Sequence, residues 1–288
     1  SNPIKAMADG KMLQVIVFAL LLGLALSRAG DAGSRIAGFF QDLNEVMMKL
    51  ITMVIQLTPY GVFCLMVKLG ATVGWVEIGK VLAYFLTVAS ALILHGLLAY
   101  PTLLRILAGV NPLTFLRKMR EPMLVAFSTS SSGATLPVTL RTVEHRIGVN
   151  NNVASFAVPL GATINMDGTA IMQGVATVFI AQFFGYQLGV DALLMVILTA
   201  TLASIGTAAV PGVGLITLTL VLGQVGLPIE GIGLIIGVDR LLDMLRTVVN
   251  VTGDGTVATI VANSEGQLDK ETLRDPNAGA VAQVPSGT

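Results

Sequence analysis

The chain has 288 residues, a formal net charge of zero, 54% hydrophobic and only 12% charged residues, and a mean hydropathy of +0.81. A soluble domain carries about twice that charged fraction. The composition therefore describes an all-α polytopic membrane protein, and it excludes nucleic acid as a partner and, with Cys64 the only cysteine, an internal disulfide or a cysteine metal cluster.

Ser1 to Gly10 is polar and turn-like, with no initiator methionine or signal peptide, and reads as the start of a fragment whose N-terminal part is missing. Apolar runs follow at about 12–27, 36–70, 78–104, 153–184, 193–223 and 231–262. The second is too long for one span, and Pro59-Tyr60-Gly61 breaks it. His95, in an apolar run, and His145, in a basic loop, read as structural. The run at 153–184 is interrupted by Thr163-Ile-Asn-Met-Asp-Gly-Thr169. Nonhelical backbone at membrane depth needs protein or a water-filled cavity around it.

Two segments resist reading as spans. Glu121 to Leu140 contains Ser128-Thr-Ser-Ser-Ser-Gly-Ala-Thr-Leu-Pro137 and has basic flanks on both sides, from Arg105 to Arg120 and at Arg141 and Arg146. Basic flanks mark the cytoplasmic side, so this segment is expected to enter and leave there. The segment 193–223 centres on Ser204-Ile-Gly-Thr-Ala-Ala-Val-Pro-Gly-Val-Gly214, and its flanks have no Lys or Arg. Its arms are too short to span. The expectation is two opposed re-entrant hairpins, each followed by a helix with a polar centre, forming an inverted repeat.

The last apolar run carries Asp239, Asp243, Arg246, Asn250 and Asp254, three or four residues apart and so on one helical face. Ionisable groups at membrane depth usually face a pathway or a bound ion. Asp239 is expected to pair with Arg240 or a neighbouring helix. From Asn263 to Thr288 the chain reads as a disordered cytoplasmic tail.

Four motifs, Ser130-Ser-Ser-Gly-Ala-Thr-Leu-Pro137, Asn165-Met-Asp-Gly-Thr169, Ser204-Ile-Gly-Thr-Ala-Ala-Val-Pro-Gly212 and Asp239…Asp243…Arg246-Thr247…Asn250…Asp254, resemble, in order, the dicarboxylate/amino acid:cation symporter family. The resemblance covers about residues 2–265. It implies a chain that begins within the family's fourth helix. It also implies a homotrimer in the inner (plasma) membrane that couples sodium influx to uptake of aspartate or glutamate by an elevator-type movement. Residues 1–75 would be the scaffold remnant. Residues 76–262 would be the transport domain, with hairpin 1 at about 107–140, a broken helix at 152–184, hairpin 2 at 193–223 and a polar helix at 231–262.

By the same resemblance, Arg246 pairs with the substrate's side-chain carboxylate and Asp243 with its amino group. Ser130, Ser132, Met166, Thr169, Val210, Thr247 and Asn250 complete the substrate contacts. Sodium, the co-transported ion, is expected at Asp254 with Gly161, Asn165 and Asn250. A second ion is expected at Thr163, Ser204, Ile205 and Thr207, and a third at Asp167 with Asn165. No organic cofactor is expected. Archaeal members place arginine where Ser130 stands, and many animal members have one where Met244 stands. Arg240 is a candidate substitute, and Ala209 replaces a glycine at the second tip. Alternatives are a C4-dicarboxylate:cation symporter and, in a different class, an intramembrane hydrolase. Asp239 and Asp243 could form that hydrolase's dyad, but Arg246 beside them works against a shared proton.

Overall fold

The structure is a computed structural model that describes residues 2–8, 12–55, 60, 67, 75–205, 207, 209–276 and 278–279. Cys64, Pro59 and Gly61 lie outside the described residues. The N-terminal helices are α1 (Pro3–Ala8), α2 (Met12–Arg28) and α3 (Gly30–Ile55). They pack on one another, and among the described residues α2 is the one of the three with an appreciable contact with the rest, on a helix of residues 190–205. Leu21, Phe39 and Val46 on these helices are exposed.

Helix α4 (Trp75–Leu94) continues through a π-helical turn (His95–Ala99), α5 (Tyr100–Leu103) and a second π-turn (Leu104–Ala108). Gly79–Ala108 is long and apolar enough to cross a membrane, with a mean hydropathy of 2.1. Two helix–turn–helix units follow in the chain. The first joins α6 (Pro112–Lys118) and α7 (Arg120–Thr129) to α8 (Ser132–Thr142) and a third π-turn (Val143–Ile147). The second joins α11 (Val190–Ile205) to α12 (Val213–Gln224). At 1.5 Å per residue, neither α11 nor α12 reaches the roughly 30 Å of a hydrocarbon core.

Between these units runs one broken helix. Its first half, α9 (Asn151–Ile164), ends where Asn165 and Met166 leave helical geometry, with φ/ψ of −99°/73° and −114°/56°. Its second half, α10 (Asp167–Phe183), restarts at once. The polar stretch 163–169 thus contains a two-residue break.

Helix α13 (Ile232–Ser264) is the axis of the molecule. Ile235, Leu242 and Val249 join one hydrophobic core with α4, α10, α11 and α12. Val251, Ala258 and Ala262 join a second with α6, α9 and the third π-turn. Leu241 and Val257 are exposed while the polar stripe is buried, the inverse of a soluble amphipathic helix.

The stretch expected to be a disordered tail is folded in its first part. Helix α14 (Lys270–Arg274) buries Leu273 in the second core, and Asp269 N–H donates to Gly148 O. Buried Lys118 donates through Nζ to the carbonyls of Arg146 and Thr272, both at 2.6 Å. One apolar anchor and these polar contacts overcome the low hydrophobicity that argued for disorder. Asp269 caps α14, and hydrogen bonds from the Thr272 hydroxyl, then from the Thr272 and Glu271 N–H groups, hold its carboxyl below the usual range.

Candidate functional site

The stripe on α13 is buried along its whole length, through Asp239, Asp243, Arg246, Asn250 and Asp254. Arg246, 1% exposed, reaches back along its own helix. Its Nη2 donates to Asp243 Oδ1 at 2.7 Å, and its Nη1 lies 3.2 Å from Asp239 Oδ1. Asp239 therefore pairs with Arg246, one helical face away from Arg240, which is exposed and outside the site. The Nη1 contact is close in distance but not aligned as a hydrogen bond. Arg246 Nε and Nη1 thus have no hydrogen-bond acceptor among the described residues. Leaving a buried donor unmatched costs about 1–3 kcal/mol.

The two helix–turn–helix units bring their tips to this stripe. Ser130 turns the first tip with φ of 53°, a left-handed conformation uncommon outside glycine. Ser131 then caps α8 by accepting from Ala134 N. Ser131 Oγ and Gly133 N both donate to Ala209 O of the second tip, at 2.7 and 3.1 Å. Gly212 N donates to Asp243 Oδ2 at 2.8 Å. A side chain at Gly214 would place its Cβ 3.0 Å from Arg246 Nη1, so glycine there lets the second tip lie on the guanidinium.

A cavity of about 20 Å³ lies between the tips and α13. It is lined by Ser130, Ser132, Met166, Thr169, Val210, Asp243, Thr247 and Asn250, together with Thr207, Ala209 and Gly214. Every residue expected to touch substrate lines it except Arg246, which lies beside it against Gly214 and Asp243. Ser130 Oγ is buried without a hydrogen-bond partner among the described residues. A water needs roughly 10–15 Å³ by the same measure, so this cavity admits about one. A ligand with two carboxylates requires the tips to part.

The residues of the first expected cation group meet at the helix break. Asn165 Nδ2 donates to Asp254 Oδ1 at 3.1 Å. A Cβ on Gly161 would stand 2.6 Å from that same oxygen, so the glycine admits the carboxylate against the backbone of α9. Gly168 N donates to Asn250 Oδ1 at 2.8 Å. In the second expected group, Ser204 and Thr207 hydroxyls bond carbonyls of α11, and the exposed Thr163 bonds Pro159 O. Ile205 is half-buried at the end of α11, which touches α9.

Asp167 has partners that sequence reasoning missed. Its Oδ2 lies 3.0 Å from His95 Nε2 and accepts from Tyr100 OH at 3.1 Å. His95 is thus no mere packing residue. On an α-helix, residues five apart point about 140° away from each other. The π-turn at His95–Ala99 is wider, and it lets both side chains face Asp167. The available signal was a histidine in an apolar run five residues from a tyrosine, which helical spacing does not pair.

Asp239 and Asp243 flank the Arg246 guanidinium, while Asp167 and Asp254 lie at the helix break with His95, Tyr100 and Asn165. The formal excess is three negative charges in a largely buried site. Such an arrangement attracts cations, and it accepts a further anion only if cations accompany it.

The family model described as the sodium:dicarboxylate symporter family matches residues 1–264. An excitatory amino acid transporter of Caenorhabditis elegans is 42% identical over 261 residues, covering 90% of this chain and 52% of that protein. Excitatory amino acid transporter 2 of Homo sapiens is 42% identical over 265 residues, 91% of this chain and 46% of that protein. Excitatory amino acid transporter 3 of Mus musculus is 42% identical over 279 residues, 96% and 53%. The chain spans about half the length of these curated relatives. The family and these relatives are transporters, not enzymes, which removes the hydrolase alternative.

Proposed function

Because this chain belongs to the sodium:dicarboxylate symporter family, we propose that it forms the substrate- and ion-binding core of a symporter that couples sodium influx to uptake of an acidic amino acid. The observation that carries this reading is the pocket between the tips, which Asp243 lines with an acidic partner for an ammonium while Arg246 lies beside it with Nε and Nη1 unmatched. Arg246 binds the side-chain carboxylate through its planar fork. Asp243 receives the amino group. Ser130, Ser132, Met166, Thr169, Val210, Thr247 and Asn250 hold the remaining polar atoms.

Sodium ions are cargo and prefer oxygen ligands. One sits at Asp254 with oxygens of Gly161, Asn165 and Asn250, a second at Thr163, Ser204, Ile205 and Thr207, and a third at Asp167 and Asn165. Together they offset the excess negative charge that the substrate would otherwise increase. In this reading residues 1–75 belong to a static scaffold of a homotrimer. Residues 76–262 move as a unit through the inner membrane, which the chain crosses several times. The two helix–turn–helix units are re-entrant hairpins of an inverted repeat, and the second is the external gate.

The test is radiolabelled uptake into proteoliposomes, with sodium and proton gradients imposed separately. Aspartate or glutamate accumulation driven by sodium supports the proposal. Succinate accumulation with no aspartate uptake points to a dicarboxylate carrier instead. Asp254→Asn is expected to flatten the sodium dependence, with substrate affinity recovering at high sodium. An unchanged sodium dependence removes Asp254 from the ion site.

A further inference from the structure

A second cavity, about 320 Å³, opens where the spanning helix ends. Arg105 lines it from the second π-turn, and Lys270 and Arg274 line it from α14. Asn111 and Thr114 add polar atoms, and no carboxylate lines it. Asn111 Oδ1 already caps α6 by accepting from Leu113 N, so its amide nitrogen is the group left for a ligand. Arg105, Lys270 and Arg274 form no ion pair among the described residues. Glu271 and Asp275 adjoin two of them in sequence but stay out of the lining. Three cations converging on one cavity repel each other unless an anion joins them.

Exposed apolar side chains adjoin the lining residues in sequence: Leu103, Ile106 and Leu107 near Arg105, and Leu113 beside Thr114, are 42%, 73%, 52% and 58% exposed. Leu103, Ile106 and Leu107 belong, with Arg105, to the last turns of the stretch Gly79–Ala108, the level at which a spanning helix meets the headgroups. A free phosphate would satisfy the cations and leave these neighbouring exposed apolar side chains without a role. An amphiphile satisfies both.

We propose that this cavity binds the phosphate headgroup of an anionic phospholipid, with the acyl chains lying along Leu103, Ile106 and Leu113. Basic pockets at the cytoplasmic ends of membrane helices have the chemistry for such headgroups. The bound lipid bridges Arg105 to Lys270 and Arg274, and so ties α14 to the end of the spanning helix. The site is remote from the pocket between the tips and does not depend on which substrate that pocket takes.

The experiment is native mass spectrometry of the full chain in detergent with equimolar phosphatidylglycerol and phosphatidylcholine. Preferential retention of phosphatidylglycerol is expected. Each of Arg105→Gln, Lys270→Gln and Arg274→Gln should lower that preference about fivefold. Arg105→Lys should keep most of it, and Arg117→Gln with Arg120→Gln, in the same basic stretch of sequence but outside the lining, should leave it unchanged. Thermal melts of each variant separate loss of the lipid from loss of the fold, and if the triple variant that combines Arg105→Gln, Lys270→Gln and Arg274→Gln does not fold, the single Arg105→Gln and Arg105→Lys pair suffices. Equal retention of the two lipids, or a preference that survives the triple variant, overturns the proposal. Displacement of phosphatidylglycerol by millimolar inorganic phosphate identifies a free-anion site and overturns the lipid assignment.

Discussion

The two helix–turn–helix units are alike in outline and differ in what holds their tips. The first closes on itself. Ser130 N donates to Ala126 O, Ser131 caps α8, and Thr135 Oγ1 donates to Ser131 O. The second reaches outward from 209–214. Gly212 N donates to Asp243, Ala209 O accepts from Ser131 and Gly133, and Gly214 O accepts from Gln173 Nε2. Gly212 sits at the start of α12 with φ of 77° and no side-chain cap. A tip that carries its own caps keeps its shape when its neighbour moves. A tip latched to residues that also face the ligand changes when the ligand arrives, because a ligand shifts an equilibrium by its differential affinity for the two states.

The largest expected effect removes the group the second tip lies on. Arg246→Cys deletes the guanidinium between Asp239 and Asp243, and loss of one partner of a buried charge pair costs about 2–5 kcal/mol. Aspartate affinity in sodium should fall at least about 30-fold by calorimetry, with preference shifting towards small neutral amino acids. Near-parental aspartate binding would refute the assignment of Arg246.

Asp243→Asn separates the tips. It removes the charge that latches Gly212 and should weaken aspartate binding by about 1.5–3 kcal/mol, with succinate affected less. A fluorophore at Val213 should report a more open second tip while one at Ser128 stays unchanged. Equal movement of both probes would erase the distinction between the units.

Ser131→Ala tests the join from the other side. It deletes the cap of α8, worth about 0.5–2 kcal/mol, and a donor to Ala209 O. Faster amide exchange over 132–135 and a looser Val213 probe are expected together, and Ser131→Thr should restore the cap. If exchange at 132–135 does not change, the first tip is held by something other than this serine.

The smallest effect lies outside both tips and serves as their control. The Asp269 carboxyl is held below its unfolded value by its bonds in the cap. Its contribution to docking of α14 is therefore full above about pH 4 and is lost as pH falls through the lower folded value. Amide exchange at 270–274 should rise on acidification below about pH 4. Asp269→Asn, still a good cap, should remove that pH dependence. The same acidification profile in Asp269→Asn would assign the effect to another group.

Much of this site could be read from residue order. The α13 stripe needed only a spacing of three and four, and the break at Asn165–Met166 showed as polar residues in an apolar run. The contacts of Asp167 were not legible, because α-helical spacing separates His95 from Tyr100. Nor was the partner of Asp239, since Arg240 and Arg246 are both within reach on paper and only packing against Gly214 decides between them. The folded start of the tail was hidden by composition. One leucine and a buried lysine outweigh a polar, glycine-containing stretch once a surface exists to receive them.

The π-turn at His95–Ala99 makes length itself part of the Asp167 site. A regular α-helix with five residues from histidine to tyrosine would point them about 140° apart, and one with four would return them to one face, about 40° apart. The wider turn absorbs the extra residue. Residue count and turn width along this stretch are therefore one variable, and an insertion or deletion between His95 and Tyr100 keeps the hydroxyl at Asp167 only if the turn changes with it.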